Sequence, residues 1–402
     1  MADRTGSGSE PALEPIDFES LDSRRLPLRR QTSVFLTILG VLGAAGIYDI
    51  FVIPHTVPPW GGARTAMDYL FYASLFVFGF YVVAPLVRRP GLVRRYWWQL
   101  RSRLLALGAS AYLVFFVFAG TGGPWVVDRL KIGYIDSPYG APMAQPPVFA
   151  RMWYNQGAGT PANICLGRVE AGFCHGTWHF PLGTTAWGAD LIDLVADGFV
   201  VALQLSLVTA ALIVPIATVV GTVAAYYGGW VDEILMRYVD VQLVIPAVFL
   251  IIVIQSLFGR SLLHIVLVFG LLNWGSTARV VRADALQRIE EGYVTAAESV
   301  GASSPWVIYR HLVPNVSDTL VTAVTLQMPT LILAEATISF LGYGSPLTKS
   351  WGTTIDGGLS GFPETWWTAV VPAVALFLTA VAFHVLGDAL RDIVDPQMEG
   401  TG

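Results

Sequence analysis

The chain has 402 residues, 54% of them hydrophobic and only 13% charged, with a mean hydropathy of +0.58. A water-soluble domain carries roughly twice that share of charge, so a single aqueous core is excluded and lipid must solvate much of the apolar surface. The net charge of −5 is mild and gives no basis for a nucleic-acid partner.

Residues 1–31 mix Asp and Glu with Arg and include no apolar run, so they read as a disordered cytoplasmic tail and not as a secretory signal. Crossing a hydrocarbon core of roughly 30 Å takes about 20 apolar residues in a helix. Eight segments meet or approach that requirement: Ser33–Ile53, Ala66–Val87, Leu104–Gly120, Phe199–Tyr226, Val241–Phe258, Leu262–Leu272 with its flanks, Leu320–Leu341 and Trp366–Leu386. Asn273, Gly275 and Thr277 dilute the inner end of the sixth. No alternating strand pattern appears, and helices satisfy their own backbone groups in lipid, so the fold class is an all-α polytopic membrane protein with about eight transmembrane helices. Pro215, Pro246 and Pro329 fall inside spans and are expected to kink them.

Arginine placement sets the expected orientation. Arg24, Arg25, Arg29 and Arg30 precede the first span; Arg88, Arg89, Arg94, Arg95, Arg101 and Arg103 separate the second from the third; Arg279, Arg282, Arg288 and Arg310 separate the sixth from the seventh. The alternate short loops hold only Arg64, Arg260 and Lys349. The positive-inside rule therefore places both termini in the cytoplasm of a multi-pass cell-membrane protein. The long segment after the third span then lies outside. Its prolines, Pro138, Pro142, Pro146, Pro147 and Pro161, predict an extended or irregular loop. Cys165 and Cys174 both lie in it. Three states are open to them: a disulfide, two free thiols, or a metal site with His175 and His179, four residues apart and so on one face of any helix there.

Catalytic and nucleotide-binding signatures are missing. Neither lysine follows the glycines of a phosphate-binding G-x-x-x-x-G-K-[ST] loop, and no H-E-x-x-H or G-x-S-x-G occurs. Their absence shifts the weight toward transport or channel function. Gln204, Gln255, Gln327 and Glu335 fall in apolar stretches, where polar groups are costly; they either bond between helices or line a pathway.

The segment Glu291–Asn315, EGYVTAAESVGASSPWVIYRHLVPN, reads as two short helices around a turn. Gly301 takes the position where a glycine closes a helix with positive φ. Ser304 offers an N-cap oxygen, Pro305 fits the first helical position, and Pro314 ends the second helix. The stretch resembles the EAA loop of binding-protein-dependent ABC transporter permeases: E-A-A, three residues, Gly, nine residues, I-x-L-P. Ala296, Ala297, Gly301 and Pro314 match in full register, with Thr295, His311 and Val313 in place of Glu, Ile and Leu, and Glu298 nearly one turn beyond Thr295. PLGT at Pro181–Thr184 (with Thr185 and Ala189 where Asp and Arg are usual), YYGGWVDEILMRYVD at Tyr226–Asp240, AEATISFLGYG at Ala334–Gly344, SWG at Ser350–Gly352 and LGDALRDIVDP at Leu386–Pro396 resemble the dipeptide/oligopeptide branch, in order.

The resemblance implies a two-helix N-terminal membrane extension over 32–102, a first core helix over 103–122, an extracytoplasmic loop over 123–196 and a permease domain over 197–398 whose coupling loop is 280–315. It implies a permease subunit with no catalytic residue and no cofactor of its own. ATP and Mg would sit on two cytoplasmic ATPase subunits, a second permease would complete a heterodimer in the lipid bilayer, and an extracytoplasmic solute-binding protein would deliver a peptide or similar solute. The other readings are an ion-coupled secondary transporter, which would need buried coupling-ion ligands, and a membrane-anchored assembly protein.

Overall fold

The computed structural model describes residues 65–88, 90–101, 103–130, 142–154 and 164–394, with a few helical positions between 37 and 48. The 1–31 segment and most of the expected first span lie outside the described residues. Two compact units divide the chain, Met1–Ala73 and Ser74–Gly402.

The helices are α1 (Ala66–Phe78, prolonged to Arg88 through one wider turn), α2 (Pro90–Arg101), α3 (Leu104–Leu130), α4 (Leu191–Tyr227), α5 (Gly229–Val244) and α6 (Ala247–Phe258). They are followed by α7 (Leu262–Leu272), α8 (Trp274–Ile289), α9 (Gly292–Ser299), α10 (Ser304–Val307, prolonged to Asn315), α11 (Ser317–Ile338), α12 (Trp351–Leu359) and α13 (Trp367–Val394). Among the described residues six helical stretches are long and apolar enough to span a bilayer, and the α5–α6 pair, bent by 66°, makes a seventh if counted as one broken span. The chain is a helical, multi-pass membrane protein.

Helix ends differ from the expected ones for local reasons. The third apolar segment ends at Gly120, yet α3 runs through Pro124 to Leu130. A proline is tolerated in a membrane helix when neighbours absorb the lost bond. α4 starts at Leu191, eight residues ahead of the apolar run, because Asp190 caps it by accepting from the Ile192 amide at 2.9 Å. Of the three internal prolines only Pro246 breaks its span; α4 and α11 continue through Pro215 and Pro329.

The described part of the segment expected to be irregular, 142–154 and 164–190, includes short strands. β1 (Arg151–Trp153), β2 (Val169–Glu170) and β3 (Phe173–His175) form an antiparallel sheet in the order β1–β3–β2. Ala171 and Gly172, both with positive φ, make the tight turn between β2 and β3. Cys165 and Cys174 are joined in a disulfide. His175 ends a strand and His179 lies in a turn, so the two do not share a helical face. Met152 and Ala144 pack with Leu191, Leu194 and Trp367, which seats this segment on the starts of α4 and α13. Thr184 locks the seat: its carbonyl accepts from the Trp367 indole at 3.0 Å, and its hydroxyl bonds the Pro142 carbonyl and the Gln145 amide.

Two expected results follow. Closing so short a loop is worth about 2–3 kcal/mol on the chain-entropy model. Cys174→Ala should therefore render residues 142–154 and 164–190 protease-sensitive in detergent, which peptide mapping would detect. The second concerns Asp190. Burial raises its carboxyl to about 6, opposed by the Ile192 amide and reinforced by the charge of Asp193. The folded protein thus holds this proton longer than the unfolded chain does. The corresponding stability is present below about pH 4 and lost as pH rises through 6. Asp190→Asn keeps the capping oxygen without the charge. It should melt higher than the parent at pH 7, with the gap closing at pH 4.

Candidate functional site

The Glu291–Asn315 segment is the most elaborated non-spanning element of the helical bundle. α9 ends in a paired closure: the Gly301 amide donates to the Glu298 carbonyl at 2.9 Å and the Ala302 amide to the Ala297 carbonyl at 3.1 Å. This pattern requires positive φ at the residue after the cap, and Gly301 has φ +85°. Ser303, one residue earlier than expected, is the cap of α10. It gives no side-chain bond; its carbonyl accepts from the Trp306 and Val307 amides. Pro305 then falls in the first turn. Pro314 has no amide to donate. The preceding turn, Ile308–Leu312, is widened so that the Val313 amide reaches the Ile308 carbonyl, and the helix closes at Asn315, one residue beyond Pro314.

A small core of its own holds the pair of helices. Val294, Val307 and Leu312 are buried, with Tyr226, Tyr293 and Ala297 packed against them. Tyr226, at the end of α4, donates to Glu298 at 2.7 Å and has Ser304 as a further side-chain partner, so one phenol pins both helices to the longest span. Glu298 is thereby engaged with α4. The His311 ring meets the Trp306 ring edge-on at 5.1 Å and lies 5.8 Å from that of Tyr293. Burial, the largest influence, and the neighbouring Glu291 push the Tyr293 phenol up, keeping it neutral beside its Asn315 partner. Thr295, Ala296, Gly301 and Pro305 remain exposed, and Val300 and Tyr309 present 85% and 77% of their surface. Between them lies a shallow open groove floored by Ala297 and Ala302 and walled by Val300, Trp306 and His311. Exposed apolar groups on a rigid, separately cored turn form a surface suited to a protein partner.

Ion pairs extend this rigidity. Arg282 of α8 grips both oxygens of Asp232 on α5, and Arg279 pairs with Asp240 one face along. α8 leads directly into α9, so the turn is tied to α5 as well as to α4.

Three glutamines in or beside the spans bond backbone carbonyls. The α7–α8 junction leaves carbonyls unpaired; Gln327 donates to the Asn273 carbonyl at 2.7 Å and Gln242 to that of Leu271 at 2.8 Å. Gln255 donates to the carbonyls of Ser261 and Tyr343, each at 3.1 Å, and accepts from the Ser261 amide at 2.7 Å. Glu335 is buried and takes the Ser339 hydroxyl at 2.5 Å, with Ser350 also in reach. Gln204 is buried on α4. The bonds of Gln255 and Gln327 run between elements of this chain, and that between Ser339 and Glu335 stays within one span. Gln242 and Tyr226, both absent from the sequence-based candidates, belong to these networks.

Residues 217–400 match the family described as binding-protein-dependent transport system inner membrane component. A putative peptide transport system permease protein of Brucella suis is 36% identical over 221 residues, 55% of this chain and 74% of that protein. An oligopeptide transport system permease protein of Haemophilus influenzae is 34% identical over 222 residues, covering 55% and 71% respectively. A glutathione transport system permease protein of Shigella dysenteriae is 32% identical over 223 residues, covering 54% and 72%.

Proposed function

We propose that this chain, which belongs to the family of binding-protein-dependent transport system inner membrane components, carries peptides of a few residues or a similar small solute inward across the cell membrane. Family membership makes it the permease subunit of an ABC importer; the peptide cargo, the orientation and the individual partners are our reading. The observation that carries the reading is the turn at Gly301, closed by two backbone bonds at the position where the family's coupling loop has its glycine. In this reading the groove beside Gly301 receives a cytoplasmic ATPase subunit, both termini lie on that side, and the 142–190 segment faces outward toward a solute-binding protein. A second permease would complete the pathway. ATP and Mg would be bound and ATP hydrolysed on two ATPase subunits. Closure of those subunits would push α9 and α10, and through Tyr226 and Arg282 the push would reach α4 and α5.

The test is uptake of a labelled tripeptide into proteoliposomes holding the chain with a second permease, two ATPase subunits and the binding protein. Uptake should require ATP and the binding protein. Uptake driven by an ion gradient without the ATPases would instead establish a secondary transporter. Reporter fusions after Arg103 and Tyr227 should read cytoplasmic, and one after Gly157 exterior; inverted readings would overturn the orientation.

A further inference from the structure

Between Asp68 and Asp128 the chain has no acidic residue, yet it carries arginines at 88, 89, 94, 95, 101 and 103, in a protein whose net charge is −5. α2, Pro90–Arg101, lies in the middle of this block. At 1.5 Å per residue it is about 18 Å long, too short as well as too charged to cross a core of roughly 30 Å. Spans end immediately on either side of it, at Arg88 and from Leu104, so α2 is held at the level where those spans leave the membrane. At 100° per residue Val93 and Trp97 share one side, while Arg94, Trp98 and Arg101 share the adjoining one. All five are exposed, Trp97 and Trp98 by more than half, and the Arg101 guanidinium lies 5.8 Å from the centre of the Trp98 ring. Arg103 is paired within the chain with Asp392 at the end of α13.

Indoles beside guanidinium groups, fixed at the boundary between lipid and water, match the chemistry of phospholipid headgroups: rings at the carbonyl level and cations against phosphate. We propose that α2 is an interfacial helix that binds anionic phospholipid, selecting it over zwitterionic lipid. Depth favours lipid over an acidic protein surface, because both neighbouring spans hold the helix against the headgroups. The inference rests on the chain spanning a bilayer, and not on which side α2 occupies.

Cys165 and Cys174 are bonded to each other, so Val93→Cys introduces one thiol for a fluorophore. The whole protein would be placed in nanodiscs containing brominated phosphatidylglycerol or, at equal mole fraction, brominated phosphatidylcholine. Both faces of a nanodisc carry the same lipid, so the preference is read whatever the orientation. Lipid association reported by quenching should be at least about fivefold higher for the anionic lipid, the ratio that one arginine near a charged surface supplies. It should fall toward one in the Arg94→Gln, Arg101→Gln background and in molar salt. Equal quenching by the two lipids, or shielding of the label only when ATPase subunits are added, would overturn the proposal. Labelling of the same thiol in oriented vesicles by an impermeant reagent separately reports the side, so failure of the orientation is distinguishable from failure of lipid selection.

Discussion

Replacing Gly301 by valine should abolish ATP-driven uptake while leaving the chain in the membrane at near the parental amount. Gly301 has φ +85°, and nothing lies within 4 Å of the position a Cβ would take, so no clash arises. The cost is backbone strain, about 1–2 kcal/mol for a residue with a Cβ, and more for a β-branched one. That energy is too small to unfold the spans but comparable to what holds one short turn. Relieving it means surrendering the bonds from the Gly301 and Ala302 amides, which fix the angle between α9 and α10. The valine side chain would also stand in the surface proposed to dock. Co-purification of the ATPase subunits should fall with uptake. Gly301→Asn is the discriminating control: asparagine visits the left-handed region, so the turn should survive and a substantial part of uptake with it. Normal transport by the valine variant with its ATPase attached would remove this turn from the coupling path. Equal loss in the valine and asparagine variants would mean that side-chain volume on the docking face, and not backbone conformation, is what matters there.

The helical fold was legible because lipid imposes a minimum apolar length, and the described spans correspond to seven of the eight apolar segments. Their ends were less legible. Asp193 and Asp197 concealed the first two turns of α4, and α3 continues ten residues past the end of its apolar run at Gly120. In both cases tertiary packing overrides a local signal. The sheet in the 142–190 segment left no trace, since strands of two or three residues cannot display alternation.

At the candidate site the glycine closure was legible, because a helix stop followed by Ser-Ser-Pro fits one backbone path. The cap was misplaced by a residue because either serine satisfies the local preference; only the fold selects Ser303. The glutamines illustrate a different limit. Composition marks a glutamine in a span as costly but does not reveal its partner. The partners are backbone carbonyls at helix breaks, and those breaks become visible only with the fold. Anchors such as Tyr226 are separated by 72 residues from what they hold, and no local pattern announces them.

The SWG motif leads to the most destabilising substitution expected. Ser350 caps α12, accepting from the Thr353 amide at 3.4 Å, and the Trp351 indole donates to the Val195 carbonyl at 3.2 Å. Gly352 then lies against α11: a Cβ there would meet the Ala336 carbonyl carbon at 2.8 Å and its Cα at 2.9 Å. These are helix backbone atoms and cannot turn aside as a side-chain end can. Gly352→Val must therefore separate α12 from α11, loosening Trp351 and the buried Glu335 next to the contact. Overpacking typically costs 1–3 kcal/mol, and with a rigid backbone neighbour we expect about 3 kcal/mol or more. The variant should yield little monodisperse protein in detergent and melt well below the parent. Gly357, in the same helix, has nothing within 4 Å of a Cβ and an ordinary φ. Gly357→Ala should be neutral or gain up to about 1 kcal/mol from helix propensity. The contrast between the two substitutions tests close helix contact at Gly352 directly. If the two variants melt alike, α12 does not lie against α11 at this point, and the glycine of the motif must be explained by something outside this chain.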